Sequence, residues 1–428
     1  MDASPQTARR AAADEALLSR FHRVRATTRE LAAPLSPEDQ LLQSMPDASP
    51  TKWHLAHTTW FFEAFVLRAF VAGYQPFPGE YEALFNSYYH SVGPQYPRDA
   101  RGLLSRPSLP EVLEYRWHVE GALDAVLAAG ALDAAALAAV ELGLQHEQQH
   151  QELLLTDIKH ALSCNPLQPA YRRAAPVPRT PAADLAFVGF EAATTLVGAV
   201  ARNGMRAGFC FDNELPRHPV LLAPCRVANR LVTNAEYRAF IEDGGYRDPL
   251  LWLADGWAEV TRHQWQRPLY WSASLDHEFS LEGGTPIDPG VPVAHVSLYE
   301  ADAFARWAGA RLPTEAEWEH VAGSRPVDGN FLDSKALRPR AAQAVAGAVT
   351  QLFGDLWEWT QSAYSPYPGF RAPAGALGEY NGKFMINQVV LRGGSCASPR
   401  SHLRASYRNF FPPAARWQFS GIRLAQDT

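Results

Sequence analysis

Two histidines on one predicted helix carry the clearest sign of chemistry in this sequence. His146 and His150 lie four residues apart in the segment His146-Glu-Gln-Gln-His150. Positions with this spacing are separated by about 40° around an α-helix, so both imidazoles can reach one metal ion. The flanking residues are rich in Ala, Leu, Glu and Gln, which favours a continuous helix. The spacing therefore predicts two metal ligands on a single helix face.

A second histidine pair lies upstream, where His54 and His57 stand three residues apart in Trp-His-Leu-Ala-His. If this segment is also helical, the spacing places one or both imidazoles on a single face. Three neutral imidazoles from two helices would form a transition-metal site with open coordination positions. Such a site indicates an enzyme, although the spacing leaves open which histidine of the upstream pair is the third ligand.

Composition excludes several classes of partner and of site. The 428 residues carry a formal net charge of −6 without a basic stripe, so we expect no nucleic-acid partner. No apolar run reaches the length of a membrane span, so no membrane partner is expected. Residues 1–25 lack the apolar stretch of a secretory signal, which predicts a cytoplasmic protein. The four scattered cysteines form no C-x-x-C pair and are expected to be separate reduced thiols.

The elements that must position the histidines are long helices in the first half of the chain. Apolar periodicity predicts them at 15–32, 50–72, 110–129 and 131–163. Four such helices indicate an antiparallel bundle over residues 1–164, a fold that builds metal sites from inward-facing side chains. The loop between the second and third helices, rich in Tyr, Pro, Gly and Arg, is long enough to predict a functional role.

The second half of the chain has a different pattern. Residues 165–184 contain five prolines and predict a linker. From residue 185 to 428, short apolar runs alternate with Gly, Pro and Asn clusters, which indicates an α+β domain with much irregular structure. Strand-like runs stand at Val220–Leu222, Val293–Ser297 and Val389–Arg392. Helices are expected at Tyr299–Gly309 and from Pro313 onward.

Several motifs in this order resemble the ergothioneine-biosynthesis sulfoxide synthase family. Two of them resemble its DinB-like four-helix bundle: Ser49-Pro-Thr-Lys-Trp-His-Leu-Ala-His57 and His146-Glu-Gln-Gln-His150-Gln-Glu152. Four others resemble its formylglycine-generating-enzyme-like domain, which has a C-type-lectin-like fold: Leu312-Pro-Thr-Glu-Ala-Glu-Trp318, Gly354-Asp-Leu-Trp-Glu-Trp359, Leu391-Arg-Gly-Gly-Ser395 and Arg408-Asn-Phe-Phe-Pro-Pro413. The resemblance implies an α+β protein of two domains, in which residues 185–428 complete the substrate pocket.

The resemblance also implies a reaction and a cofactor. Enzymes of this family use a mononuclear non-haem Fe(II) centre and O2 to join a thiol sulfur to C2 of the imidazole of hercynine, Nα-trimethylhistidine. A close branch makes selenoneine, taking selenium from a selenosugar. The family motif places its first ligand at the second histidine of Trp-His-Leu-Ala-His. The implied iron ligands are therefore His57, His146 and His150.

The family pattern further implies which residues hold hercynine and supply a proton. Gln149 stands where the family contacts the hercynine imidazole, and Asn409, Phe410 and Phe411 match the segment that holds its betaine end. A trimethylammonium group cannot donate hydrogen bonds, so aromatic faces suit it through cation–π attraction. The family uses a tyrosine near the iron as a proton donor, a role that Tyr88 or Tyr89 would fill here.

The donor is predicted from three residues of the long loop. Arg98 and Arg101 match a region in which family members hold the carboxylate of the sulfur donor, and guanidinium groups bind carboxylates bidentately. His90 stands where an acidic residue is usual in the sulfur enzymes. A carboxylate there could bind the ammonium group of cysteine, which a selenosugar lacks. We therefore expect selenoneine synthase, with cysteine or γ-glutamylcysteine as the alternative donor.

Two other readings of the sequence remain open. A metal-dependent thiol S-transferase could use the helical bundle alone, and it would need a redox-inert metal such as zinc and no O2. A binding module of the lectin-like kind would show no metal-dependent turnover, and it would leave the histidines without a role. The analysis of bound metal and of O2 consumption separates these readings from the iron enzyme.

Overall fold

The computed structural model describes residues 5–173, 181–200, 208–343, 345 and 347–428, with side chains from residue 16 onward. The chain divides into two compact units, Met1–Cys164 and Asn165–Thr428. The centre of the expected linker, residues 174–180, lies outside the described residues. Within the described part, no helix is both long and apolar enough to cross a membrane. All four cysteines are free thiols, as the sequence predicts.

The first unit is helical, and the four predicted long helices are confirmed. In chain order the helices are α1 (Pro5–Ala32), α2 (Thr51–Phe62), α3 (Arg68–Phe70), α4 (Tyr81–Phe85), α5 (Leu109–Ala128) and α6 (Ala134–Ser163). A π-helical turn at Glu63–Leu67 joins α2 to α3. The segment predicted as one helix at 50–72 is therefore a helix with a change of winding near its end.

Local capping explains where the helices begin. The Asp133 side chain accepts a hydrogen bond from the Ala136 backbone N–H at 2.8 Å, so α6 begins at residue 134 instead of the expected 131. Ser108 and Glu111 form a capping box at the start of α5. Gly143 of α6 lies against the Phe62 ring, where an added Cβ would come within 2.5 Å of a ring carbon. A glycine at this position therefore lets α2 approach α6 closely.

A buried charge network links the helices of the first unit. Glu147 of α6 accepts hydrogen bonds from Arg25 of α1 at 2.8 Å, from Arg116 of α5 at 2.6 Å and from Thr28 at 2.6 Å. Arg25 also donates to Thr59 of α2 at 2.9 Å. Because the three charged side chains are almost fully buried, these contacts fix the relative positions of the helices that carry the histidines.

The second unit is an α+β domain, as the sequence predicts. Its helices are α7 (Asn234–Glu242), α8 (Ala254–His263), α9 (Leu298–Trp307) and α10 (Glu315–Ala322). Its strands are β1 (Phe187–Phe190), β2 (Ala193–Val197), β3 (His218–Leu222), β4 (Cys225–Ala228), β5 (His277–Ser280), β6 (Gly283–Pro286), β7 (Trp357–Ala363), β8 (Val389–Arg392), β9 (Asn409–Phe411), β10 (Ser420–Gly421) and β11 (Ala425–Asp427).

The strands form small sheets. Among the described residues there is a four-stranded sheet in the order β10-β7-β8-β9 and a three-stranded sheet in the order β1-β4-β11. The pairs β2-β3 and β5-β6 form two further antiparallel sheets of two strands each. Strands β7, β8 and β9 pair antiparallel, with Val390 opposite Phe410. The four-stranded sheet therefore contains β9, the segment for which the sequence predicts hercynine binding.

One predicted strand of the second unit is wrong. Residues Val293–Ser297 form no strand, although Val293 donates a backbone hydrogen bond to Val232 and His295 donates one to Ser420. His295 has a φ of 61°, which interrupts an extended conformation. The run is apolar because Val293 and Val296 are fully buried, so burial without regular pairing explains the pattern.

Candidate metal centre

Helices α2 and α6 bring three predicted ligands together inside the first unit. One nitrogen each of His57, His146 and His150 lies within 4.8 Å of the other two. His57 and His146 are buried and His150 is half-buried. Among the described residues, Glu152 is outside this set, in agreement with its position on the far side of the helix. The arrangement offers three nitrogen donors and no charged ligand.

The hydrogen bond behind His57 determines which of its nitrogens can bind a metal. His57 Nδ1 lies 2.6 Å from the carbonyl oxygen of Phe85, at the end of α4. Because a carbonyl only accepts hydrogen bonds, Nδ1 must carry the proton, and Nε2 keeps a free electron pair. This Nε2 faces Nε2 of His146 at 3.1 Å. Two ligands bound at a right angle with bonds of about 2.1 Å would have a similar separation, so the residues fit a transition-metal ion.

Aromatic rings surround the three histidines. Trp53 stacks on His57 with ring centroids 4.5 Å apart and an angle of 12° between the planes. Phe61 packs on His146 with a centroid distance of 4.4 Å. The Arg101 guanidinium also packs on Trp53, 3.5 Å from the ring centroid. These rings hold the imidazoles in place and exclude water from their sides.

Burial keeps the three imidazoles neutral. It lowers the pKa of His146 from the ordinary 6.5 to about 3. Burial, together with the neighbouring imidazoles, lowers the pKa of His57 and of His150 well below the same value. The neutral form is the one that binds a metal. The site therefore has its ligands in the binding form before any metal arrives.

These pKa values give an expected pH dependence for the metal-free protein. Below pH 6.5 the unfolded chain protonates His146 and the folded chain does not, so stability is lost as the pH falls through 6.5. The loss is about 1.4 kcal/mol for this histidine for each pH unit below 6.5. Urea unfolding at pH 7.0 and 5.5 measures it. We expect His146→Gln to lose less unfolding free energy between these pH values than wild type does. Equal losses would contradict the lowered pKa of His146.

The two tyrosines of the long loop lie in the same unit as the histidines. Tyr89 is buried, and its ring packs 4.9 Å from Phe65 and 5.8 Å from Trp60. Tyr88 is half-buried and stacks on Tyr89 with a centroid distance of 4.6 Å. Both follow Phe85, whose carbonyl holds His57, at a distance of only three and four residues. The role of either phenol as a proton donor stays a prediction.

The residues predicted to bind the donor separate into one buried and two exposed side chains. Arg101 is buried, donates to the Ser49 hydroxyl at 2.9 Å and lies on the ring that stacks on His57. Burial lowers its pKa to about 9. Arg98 is exposed and donates to the backbone oxygen of Asp47. His90 is exposed, with Nδ1 3.2 Å from the Gln95 amide. Arg101 is thus the member that lies near the histidines.

The residues predicted to bind hercynine are divided between the two units. Gln149 is half-buried on α6 between the two histidine ligands. Asn409, Phe410 and Phe411 form β9 and are half-buried. Phe410 stacks on Tyr364 with centroids 4.0 Å apart, and Phe411 contacts Trp417 at 6.2 Å. An ion pair between Arg408 and Glu315 anchors this strand to α10. Their binding roles stay predictions.

Two residues near the histidines were not assigned from the sequence. His54 lies 2.8 Å from His150 through their Nδ1 atoms, and its Nε2 lies 3.1 Å from an Asp157 oxygen. The sequence considers His54 only as a possible ligand, and it gives Asp157 no role. One signal was available, because Asp157 follows His150 by seven residues and so lies on the same face of α6.

Comparison with known proteins follows the same division into two parts. Residues 20–154 match the DinB superfamily, and residues 189–348 and 340–428 match the sulfatase-modifying factor enzyme 1-like domain. A hercynine oxygenase of Mycobacterium tuberculosis is 32% identical over 96% of this chain and 99% of its own length. Another from Mycolicibacterium smegmatis is 36% identical, covering 67% of this chain and 71% of that protein.

A third hercynine oxygenase, from Mycolicibacterium thermoresistibile, is 38% identical over 51% of this chain. That match spans about half, 54%, of the relative's length. The match to the Mycobacterium tuberculosis protein, by contrast, covers both the helical part and the α+β part of this chain.

Proposed function

The chain belongs to the hercynine oxygenase family, and from that premise we propose that it joins a chalcogen atom to C2 of the hercynine imidazole. The proposed reaction depends on O2 and on an Fe(II) ion held by His57, His146 and His150. The observation that carries the proposal is the convergence of three neutral imidazoles from α2 and α6 within 4.8 Å. Three protein ligands leave coordination positions open for substrates.

The bound Fe(II) would supply a redox centre at which O2 is reduced while the substrate carbon is oxidised. The protein's own contribution is positioning. The Phe85 carbonyl fixes the tautomer of His57, and the rings of Trp53 and Phe61 keep water from the ligand faces. A phenol O–H from Tyr88 or Tyr89 is proposed to donate a proton to reduced oxygen, which favours bond formation at carbon.

Hercynine recognition is proposed to use two kinds of contact. The amide of Gln149, next to His150 on α6, is proposed to hydrogen-bond the imidazole of hercynine. The trimethylammonium group is proposed to lie against aromatic faces, for which Phe410 and Phe411 are the candidates, with Asn409 hydrogen-bonding nearby. Phe410 stacks on Tyr364 with ring centroids 4.0 Å apart, and the Phe384 ring lies 6.1 Å from it in a nearly parallel orientation, so β9 contributes to an aromatic cluster.

The donor is proposed to be a selenosugar, which makes the protein a selenoneine synthase. Supporting this is the absence of a carboxylate at position 90, where His90 would offer no attraction to the ammonium group of cysteine. The alternative donors are cysteine and γ-glutamylcysteine, whose carboxylates would suit the buried guanidinium of Arg101. Reactions of the Fe(II)-loaded protein with hercynine, O2 and each donor separately, followed by product mass spectrometry, test the choice.

The substitution His90→Glu gives the sharpest test of the donor. We expect wild type to form the selenium adduct from selenoglucose with little turnover of the thiols. The added carboxylate should raise kcat/KM for cysteine by about tenfold, which corresponds to about 1.4 kcal/mol of added attraction. The control Gln75→Glu adds the same charge to the same loop and should leave kcat/KM unchanged for both donors. Unchanged donor preference in His90→Glu would remove the argument from position 90.

A further inference from the structure

The His54 side chain stands between a metal-ligand candidate and a buried carboxylate. Its Nδ1 lies 2.8 Å from Nδ1 of His150, and its Nε2 lies 3.1 Å from Oδ2 of Asp157. His54 and Asp157 are 2% and 5% exposed. The same carboxylate oxygen accepts the backbone N–H of Ser49 at 2.8 Å, which fixes its position. Both nitrogens of His54 are therefore engaged with protein groups and do not belong to the converging donor set.

The order of these groups determines where the protons lie. A carboxylate oxygen only accepts, so Nε2 of His54 carries a proton and donates it toward Asp157. In a neutral imidazole the other nitrogen is then an acceptor, so Nδ1 of His54 accepts from Nδ1 of His150. His150 consequently carries its own proton on Nδ1, and its Nε2 electron pair is left for a metal. If His54 donated through both nitrogens, His150 would carry its proton on Nε2 and could not bind a metal through that atom.

We propose that His54 and Asp157 are positioning residues that hold His150 in the tautomer that binds metal through Nε2. The inference rests on the proposed metal centre and adds to it the groups that orient one ligand. The Phe85 carbonyl fixes the tautomer of His57 in the same way, because it accepts a hydrogen bond directly from Nδ1 of that ring. For His150 the acceptor is His54, and the Asp157 carboxylate on the other side of His54 determines that His54 accepts this hydrogen bond through Nδ1. Such outer partners raise the basicity and fix the orientation of a metal-bound imidazole.

Cobalt binding tests the proposal without relying on turnover. We would titrate Co(II) into metal-free wild type, His54→Leu, His54→Asn and Asp157→Asn, with a competing chelator to obtain the affinity. The visible absorption of bound Co(II) reports ligand geometry. His160→Asn is the matched control, because His160 also lies on α6 and its Nδ1 contacts the Ser44 hydroxyl at 2.7 Å.

The four variants have different expected results. His54→Leu removes the acceptor from His150 and should weaken Co(II) binding about 10- to 100-fold with a changed spectrum. In His54→Asn the amide oxygen can still accept from His150, so part of the affinity should return. Asp157→Asn keeps an acceptor for His54 but loses the charge, and a loss of about tenfold is expected. The control should bind as wild type does.

Failure of this inference is distinguishable from failure of the proposed function. Wild-type affinity and spectrum in His54→Leu would overturn the positioning role and leave the metal centre in place. A wild-type protein that binds no Co(II) would overturn the metal centre and the positioning role together. If the leucine variant does not fold, Asp157→Asn decides, because unchanged affinity and spectrum in that variant also overturn the inference. Melting curves of the metal-free proteins establish that each variant is folded.

Discussion

The substitution His146→Ala should remove both bound metal and turnover. Nε2 of His146 faces Nε2 of His57 at 3.1 Å, and His146 lies about one helical turn from His150 on α6. Because His146 is proposed as a direct ligand, removing it should weaken metal binding by more than the 10- to 100-fold caused by removing an outer partner. We expect metal affinity and turnover to fall by roughly 1,000-fold or more. Metal content after dialysis and initial rates with hercynine measure the two effects.

The control for this variant is His22→Ala. His22 is an exposed histidine on α1 whose side chain is 56% exposed and contacts Asp124. Its loss should change neither metal content nor rate. If His146→Ala retained stoichiometric metal and more than a tenth of the rate, His146 would not be a ligand. Circular dichroism at room temperature would show whether the bundle is intact in both proteins.

Glu147→Ala should be the most destabilising single substitution in the network around Arg25 and Arg116. Burial alone would raise the pKa of Glu147, but the charges of Arg116 and Arg25 outweigh burial and hold it at about 2. The carboxylate is therefore fully charged at neutral pH. Its removal leaves two buried guanidinium groups to share Glu120, the other carboxylate that both contact. The expected cost is about 3–5 kcal/mol in the free energy of unfolding.

A matched control lies on the same helix. Glu141 of α6 forms a two-bond contact with Arg20 at 2.7 and 2.9 Å, but both side chains are partly exposed. Solvent screens such a pair, so Glu141→Ala should cost at most about 1 kcal/mol. Urea unfolding of the metal-free proteins gives both values. Equal losses for the two variants would show that the buried network does not stabilise the bundle more than a surface pair does.

The long helices and the histidine pair could be predicted because their signals are local. His146 and His150 are four residues apart on one helix, and no other part of the chain is needed to place them on one face. Glu147 stands between them in the sequence, and a charged residue in a helix is usually exposed. It is buried here only because Arg25 and Arg116 approach from two other helices. Single-helix patterns contain no information about such partners.

The same reason explains why the role of His54 was missed. Its spacing from His57 indicates a ligand, yet its contacts depend on Asp157, which is 103 residues away.

In the second unit the apolar run at Val293–Ser297 predicts a strand, but the backbone there is irregular and buried. Strands of two to five residues, such as β9 and β10, are too short for alternation to identify them reliably. The family motif predicts donor-binding roles for the loop residues His90 and Arg98, and only the fold shows that both are exposed.

The most direct test of the proposed function is an omission experiment read by mass spectrometry of the hercynine product. Metal-free protein would be given Fe(II), O2, hercynine and a chalcogen donor, and each component would be left out in turn. A parallel reaction would contain Zn(II) in place of Fe(II). We expect the C2 adduct only in the complete Fe(II) mixture, with selenoglucose as the best donor. An adduct that forms equally with Zn(II) and without O2 would contradict the iron oxygenase and support a metal-dependent thiol transferase.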